Sequence, residues 1–299
     1  MWNNPILSLV VLAPLARIGR GALVGITYLG ALGTLVGSAT RSVFRPSGQC
    51  PAFVPATTRQ AATLLAMGLP LVGLVHVGLG SFLSMQAYFG GTFVDGTGAV
   101  VGVGLIRNAA PLMAGLTLAV LIAARTVWEL RGRPRSGLDA EPGWAVDRDP
   151  APGRPAGADP APEPARLAAV RIAAALVVGP VLALWGILVG TVVGWQVGKM
   201  MLGVSTHAFF FMLTEMIWLR DVVGLVIKGL AFALFAALFA CHEGLRGSAH
   251  TDPDSVPSAA CRAASLASVA ILVFNSGWFL LVYHAGPAFG PTLLAPPAP

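Results

Sequence analysis

Charge is what this chain has least of. Aspartate, glutamate, lysine and arginine make up 11% of its 299 residues, against roughly 25% in soluble domains. Hydrophobic residues account for 56%, and mean hydropathy is +0.76. So few charges, spread around several long apolar runs, exclude a soluble globular protein and point to an integral membrane one. Acidic residues are scarcest, and none occurs before Asp95. The net charge of +6 does not indicate a nucleic-acid partner, because the basic residues are not clustered with stacking aromatics. Cysteine is equally thin. Cys50, Cys241 and Cys261 form no C-x-x-C pair and read as small apolar packing residues. The histidines at 76, 207, 242, 250 and 284 share no metal-ligand spacing. Enzyme motifs are missing too. "CHEG" at 241–244 has no second histidine four residues on. In "WQVGKM" Val193 stands where a phosphate-binding loop needs its first glycine, and Met200 replaces Ser/Thr. Neither an enzyme nor a bound cofactor is expected, so energy for any work must come from another chain.

What the sequence does have is apolar length. Five segments, at about 61–86, 100–126, 167–195, 222–241 and 263–284, reach the roughly 20 residues that cross a hydrocarbon core. Basic residues then orient them. Arg17, Arg20, Arg41, Arg45 and Arg59 precede the first span, eight arginines from Arg125 to Arg171 separate the second and third, and Arg246 and Arg262 flank the last loop. Fifteen of 19 basic residues thus share one side, and the other side holds only Lys199 and Arg220. The expected fold class is an all-α integral membrane protein of the plasma (inner) membrane, amino terminus cytoplasmic and carboxyl terminus outside. Residues 21–40, "GALVGITYLGALGTLVGSAT", are charge-free but rich in Gly and Thr. An interfacial or re-entrant helix there keeps the flanking arginines on one side, whereas a sixth crossing would part them. The chain divides into an amino-terminal region, 1–59, and a membrane domain, 60–299. Within the latter, the Pro/Ala/Gly-rich stretch 132–165 reads as a disordered cytoplasmic loop.

Three patterns within the spans call for explanation. "LIRNAAPLMAGLTLAVLIAARTVWEL", residues 105–130, opens on a cation and closes on Arg125 and Glu129. Pro111 removes the helical bond that the carbonyl of Arg107, four residues earlier, would accept. A cation at a kink suits an anionic headgroup or an internal salt bridge equally, with Arg107 on a freed carbonyl and Lys228 on Glu215 or Asp221. Lys228, within span four, could also snorkel outward on its long stem. In span three, Gly186, Gly190, Gly194 and Gly198 recur every four residues and form one smooth helix face. That face serves either packing within the chain or a seam with a second subunit.

Set in order, these stretches resemble the MlaE/YrbE permease family, the membrane subunits of Mce-type lipid ABC transporters. The resemblance runs from about Gln60 to Leu280. Its carriers are "GLGSFLSMQAYFG" at 78–90, ending near Gln86; "LIRNAAP", with Arg107 and Pro111 in register; Glu129 downstream; "RDVVGLVIKGLAF" at 220–232, with Asp221, Lys228 and Phe232; and "CHEGLRG" at 241–247. Asn108 and Asn275 stand where the family has carboxylates. The cytoplasmic loops have drifted, leaving only "DP" at 149–150 of the ATPase-docking pattern. The resemblance implies a permease subunit moving lipids or other hydrophobic molecules. Its implied partners are a second permease, expected to be a different chain, an ABC ATPase dimer that uses ATP and Mg, and Mce proteins outside. Gln86, Arg107, Asn108, Pro111, Lys228 and Asn275 become substrate-path candidates; Arg125, Glu129 and Arg131 become ATPase-coupling candidates. Two rivals remain. A scaffold subunit without gating fits the drifted loops, while a secondary transporter would need an internal repeat that the sequence lacks.

Limited proteolysis of sealed vesicles should cut within 132–165 only from the side bearing the amino terminus. Resistance there would mean that a packed docking helix survives despite the composition.

Overall fold

The computed structural model describes residues 13–44, 53–89, 96–131, 164–246 and 255–284, and among them there is no strand. The helices are α1 (Ala13–Phe44), α2 (Phe53–Phe89), α3 (Thr97–Gly104), α4 (Ala110–Arg131), α5 (Pro164–Leu202), α6 (Thr206–Glu215), α7 (Leu219–Leu245) and α8 (Ser255–Phe279). A single π turn, Leu105–Ala109, joins α3 to α4, and another, Leu280–His284, closes α8. Six helical stretches are long and apolar enough to cross a membrane, Gly19–Phe44 and Thr97–Arg131 among them. The chain is an all-α, multi-pass membrane protein. The helices outrun the five expected apolar windows because hydropathy marks only the lipid-matched part, while the hydrogen-bonded ladder continues through polar ends such as Thr57–Arg59 and Ser255–Arg262. Position 59 accordingly lies inside α2. The loop at 132–165, "DP" at 149–150 and Cys50 fall almost entirely or wholly outside the described residues.

Residues 21–40 belong to one unbroken helix of 32 residues, which corrects the re-entrant alternative, since a re-entrant path must reverse within the membrane. The contacts of α1 also fix its course. Tyr28 meets Phe239, His242 and Glu243, whereas Ala39 packs with Ala168, Ala169 and Cys241. Over eleven residues of α1, about 16 Å of helix, the contacts thus stay with the last turns of α7 and the first turns of α5. A helix running alongside them would meet them at increasing depth. This one crosses their arginine-bearing ends.

Small residues set how closely the others approach. α5 lies between α2 and α7, and its glycine face is covered by the chain's own helices. A Cβ on Gly186 would sit 2.5 Å from His76 Nε2, one on Gly190 3.0 Å from Leu105, one on Gly194 2.9 Å from Val101 and one on Gly198 3.5 Å from Thr97. Across the seam, a Cβ on Gly80 would lie 2.2 Å from the carbonyl oxygen of Gly190. Ser84 Oγ donates to the carbonyl of Gly194 at 2.6 Å. In lipid, where apolar side chains gain little by leaving the solvent, such close van der Waals and polar contacts hold helices together. On the other side of the core, Ala259, Ala263, Ala267 and Ile271 of α8 recur every four residues, all buried, and present a similarly flat face to α4 and α7.

A feature the hydropathy reading left as loop is α6. Gly203, at φ +68°, turns the chain out of α5, and the Ser205 side chain accepts from the Ala208 N–H at 3.1 Å to start the new helix. Phe209 and Leu213 then bury against Val101 and Leu105, which closes the end of the bundle opposite the arginines.

Replacing Gly80 with Ala should destabilise the fold by about 1–3 kcal/mol, the usual cost of overpacking, because a backbone carbonyl cannot step aside. Gly78→Ala, where nothing lies within 4 Å, should be neutral or mildly stabilising. Unfolding midpoints in detergent compare the two, and equal values would discount the seam.

Candidate functional site

Two polar clusters sit at opposite ends of α4. Arg107 and Glu129 are 22 residues apart, about 33 Å along a helix, close to the roughly 30 Å thickness of a hydrocarbon core.

The cluster far from the arginine-rich end is built around the interruption at Pro111. That proline has no N–H to offer the carbonyl of Arg107, and the helix widens into the π turn just before it. Lys228 Nζ donates to this orphaned carbonyl at 2.7 Å. Arg107 itself turns to α7, with Nε 3.0 Å from Asp221 Oδ1 and Nη2 donating to the Met216 carbonyl at 3.0 Å. Asp221 Oδ2 also accepts from the Trp218 N–H at 3.0 Å, fixing the first turn of α7. Arg220 Nε lies 4.0 Å from Asp221 Oδ1. Next along, Asn275 Nδ2 donates to Asn108 Oδ1 at 2.7 Å, tying α8 to the π turn.

Sequence candidates Arg107, Asn108, Pro111, Lys228 and Asn275 thus converge on one site, with the partners of the internal-pairing account exchanged. Lys228 takes the freed carbonyl, and Arg107 takes the carboxylate. Lys228 is 1% exposed, so the snorkelling alternative is corrected: its stem ends on a backbone acceptor within the core. Glu215 lies exposed at the end of α6. Gln86 is exposed on α2 and does not join the network. Asn108 is exposed and Arg107 partly so, whereas Asp221 is 1% exposed. Arg107 and the Asn108 amide therefore face outward over a buried anion.

The second cluster gathers the arginines around two carboxylates. Glu129 pairs with Arg125 at 2.7 Å and with Arg171 of α5 at 3.0 Å. Glu243 of α7 receives Arg262 of α8 at 3.1 Å and the Tyr28 hydroxyl of α1 at 3.1 Å. Arg131 donates to the Glu243 backbone carbonyl. Arg125, Glu129 and Arg131 are thus engaged within the chain, and five helices meet at the two carboxylates. Arg171, Glu243, Arg262 and Tyr28 were not among the sequence candidates, and Asp221 was named only as a register residue of the family resemblance and a possible partner of Lys228. Their signal was the rarity of acids: a carboxylate inside an apolar span must find a cation, and among the described residues Asp221 and Glu243 are buried and the Glu129 side chain is nearly so.

No group of three or more His, Cys, Asp or Glu side chains among the described residues could hold a metal ion.

Comparison with known proteins bears on what this frame is for. The family model described as Permease MlaE matches residues 160–280, from α5 to the end of α8, including Asp221, Lys228 and Asn275. A "Probable ABC transporter permease protein" of Rickettsia typhi is 24% identical over 210 residues, covering 69% of this chain and 74% of its own length. A protein of the same description from Rickettsia prowazekii gives the same identity and coverage, and one from Rickettsia conorii is 24% identical over 211 residues.

Asp221→Asn should cost about 2–3 kcal/mol. That is below the usual 3–5 kcal/mol for breaking a buried pair, because Arg107 is partly exposed and can recruit water. Arg107→Gln/Asp221→Asn should cost less than the sum of the single changes. A thermal-unfolding double-mutant cycle in detergent measures this, and strict additivity would count against the pair.

Proposed function

We propose that the chain belongs to the MlaE permease family, is a permease subunit of an ABC transporter, and passes lipids across the inner membrane as one of a pair of permeases. ATP hydrolysis takes place on an ATPase dimer docked at the arginine-rich end; Mce-type proteins deliver or receive the lipid at the other. The observation that carries the lipid assignment is the imbalance of charge at the far cluster. Arg107 and Arg220 flank the carboxylate of Asp221, Lys228 adds a third cation on the Arg107 carbonyl, and the partly exposed Arg107 lies beside the exposed amide of Asn108. An anionic headgroup entering from lipid would find charge-assisted donors there, with apolar helix surface below for its acyl chains. Arg107 and Asn108 would touch the headgroup, while Lys228, Pro111 and Asn275 hold them in place.

A scaffold role within the same complex is the second reading. It is favoured by the engagement of Arg125, Glu129 and Arg131 inside the chain, which makes them braces for the docking face rather than free contacts. A reconstituted complex separates the two. If this chain couples, Glu129→Gln should lower lipid-stimulated ATPase activity at unchanged stoichiometry; an unaltered rate favours the scaffold.

Arg107→Gln should assemble normally and lose about tenfold in uptake of an anionic lipid, the usual worth of one charge-assisted hydrogen bond. Lys228→Gln should reduce complex yield, because it leaves a carbonyl unfilled in lipid. Complex yield and ATP-dependent uptake are scored separately for each variant. Unchanged uptake in Arg107→Gln would remove the residue from the path.

A further inference from the structure

Where α1 crosses the end of α7, the two helices do not close on each other. A cleft of about 420 Å³ remains between Thr34, Leu35 and Ser38 of α1 and His242, Leu245 and Arg246 at the end of α7. We infer that this cleft is a fixed binding site for an anionic phospholipid of the leaflet at the arginine-rich end, distinct from the transport path at the other end of the bundle.

Four observations argue for that occupant. The first is charge. Arg246 is 62% exposed and reaches Glu243 only at 4.0 Å, because that carboxylate is already taken by Arg262 and by the Tyr28 hydroxyl, each at 3.1 Å. Its guanidinium therefore keeps donors and charge for a phosphate at the mouth of the cleft. Arg41, exposed and one turn beyond Ser38 on the same helix, adds a second cation. The second is polarity along the lining. Thr34 and Ser38 rest their hydroxyls on the carbonyls of Ala31 and Leu35, at 2.9 and 3.0 Å. Both bonds are local and exposed, so a rotation about χ1 turns either hydroxyl toward an incoming oxygen. The third is depth. α1 lies across the bundle end, and its amino-terminal half exposes Leu23, Val24, Ile26 and Leu29 at 63–66%. A helix so placed rests at the boundary of headgroups and acyl chains, level with a lipid's phosphate. The fourth is size. The cleft has room for a headgroup, and Leu35 and Leu245 offer apolar contact to the glycerol and upper chains below it.

The assignment is independent of which lipid the transporter carries. It can be tested on the assembled complex in nanodiscs of phosphatidylcholine containing a minor fraction of phosphatidylglycerol, with lipids counted by native mass spectrometry after mild detergent release. The unaltered chain should retain one phosphatidylglycerol. Arg246→Gln and Ser38→Leu, the second adding bulk at an exposed position that tolerates it, should each lower retention about fivefold, the effect of one basic contact at an anionic surface. Arg246→Lys should restore part of it. Arg59→Gln, at the same end but off the cleft, and Arg107→Gln, at the far cluster, should leave it unchanged. The proposal fails if phosphatidylcholine is retained equally. It fails if Arg59→Gln weakens retention as much as Arg246→Gln, since that describes a generally basic surface. Displacement by inorganic phosphate would also overturn it, because the site would then serve a soluble anion. Loss of lipid in Arg107→Gln alone would place the retained molecule in the transport path instead.

Discussion

A carbonyl without a donor is tolerable in water and costs several kcal/mol in lipid, and Pro111 takes the helical donor from the carbonyl of Arg107 within the membrane-length stretch Thr97–Arg131. The arrangement of the far half of the bundle follows from the repair. Lys228 must come from α7 to fill the carbonyl at 2.7 Å, which fixes the height of α7 against α4. A buried ammonium needs a nearby anion, and Asp221, two turns earlier on α7, stands closest in sequence. Asp221 in turn draws Arg107 across at 3.0 Å and pins the first turn of its own helix through the Trp218 N–H. With Arg107 held to one side, Asn108 faces α8 and meets Asn275. One missing hydrogen bond thus dictates the relative positions of three helices.

The opposite end solves a related problem with the same pairing of cations and buried anions. Four arginines there meet two carboxylates, Glu129 and Glu243, a fifth meets the Glu243 backbone carbonyl, and together with Tyr28 they join α1, α4, α5, α7 and α8. Between the ends the packing is almost wholly Ala, Gly, Leu and Val. Such a middle resists separation but gives little specificity of register, so the two polar layers decide how the helices align.

Much of this was legible in the sequence, for identifiable reasons. Apolar length and arginine asymmetry are summed over many residues, so the long helices of the described segments and the gathering of arginines at one end were readable. Arg107, Lys228 and Asn275 stood out because a polar residue in a span must have a purpose. Their partners did not. Spacing along one helix shows that Pro111 frees the carbonyl of Arg107 but not which of two cations arrives, and the structure exchanged the expected pair. The glycine face of α5 showed the same limit. Period four announces close approach, and only the packing of α2 reveals that the neighbour belongs to the same chain. α6 went unseen because ten residues ending in "MLTE" are too short for a hydropathy window. The course of α1 was half legible: its arginines argued for one side, but its lie across α5 and α7 depends on Tyr28 and Ala39 finding their pockets.

The approach of Gly80 to the backbone of Gly190 also has a mechanical meaning. With 2.2 Å between the place of a Cβ and a carbonyl oxygen, neither helix can slide past its neighbour by even one residue, because the next side chain along would strike the opposing backbone. α2 and α5 therefore behave as a single girder. α4 carries its one defect in helical bonding at the π turn, where the restoring force comes from a lysine side chain with four rotatable bonds rather than from a stiff amide ladder. That turn is a softer joint than the helix it precedes, some six helical turns from the arginine-rich end of α4.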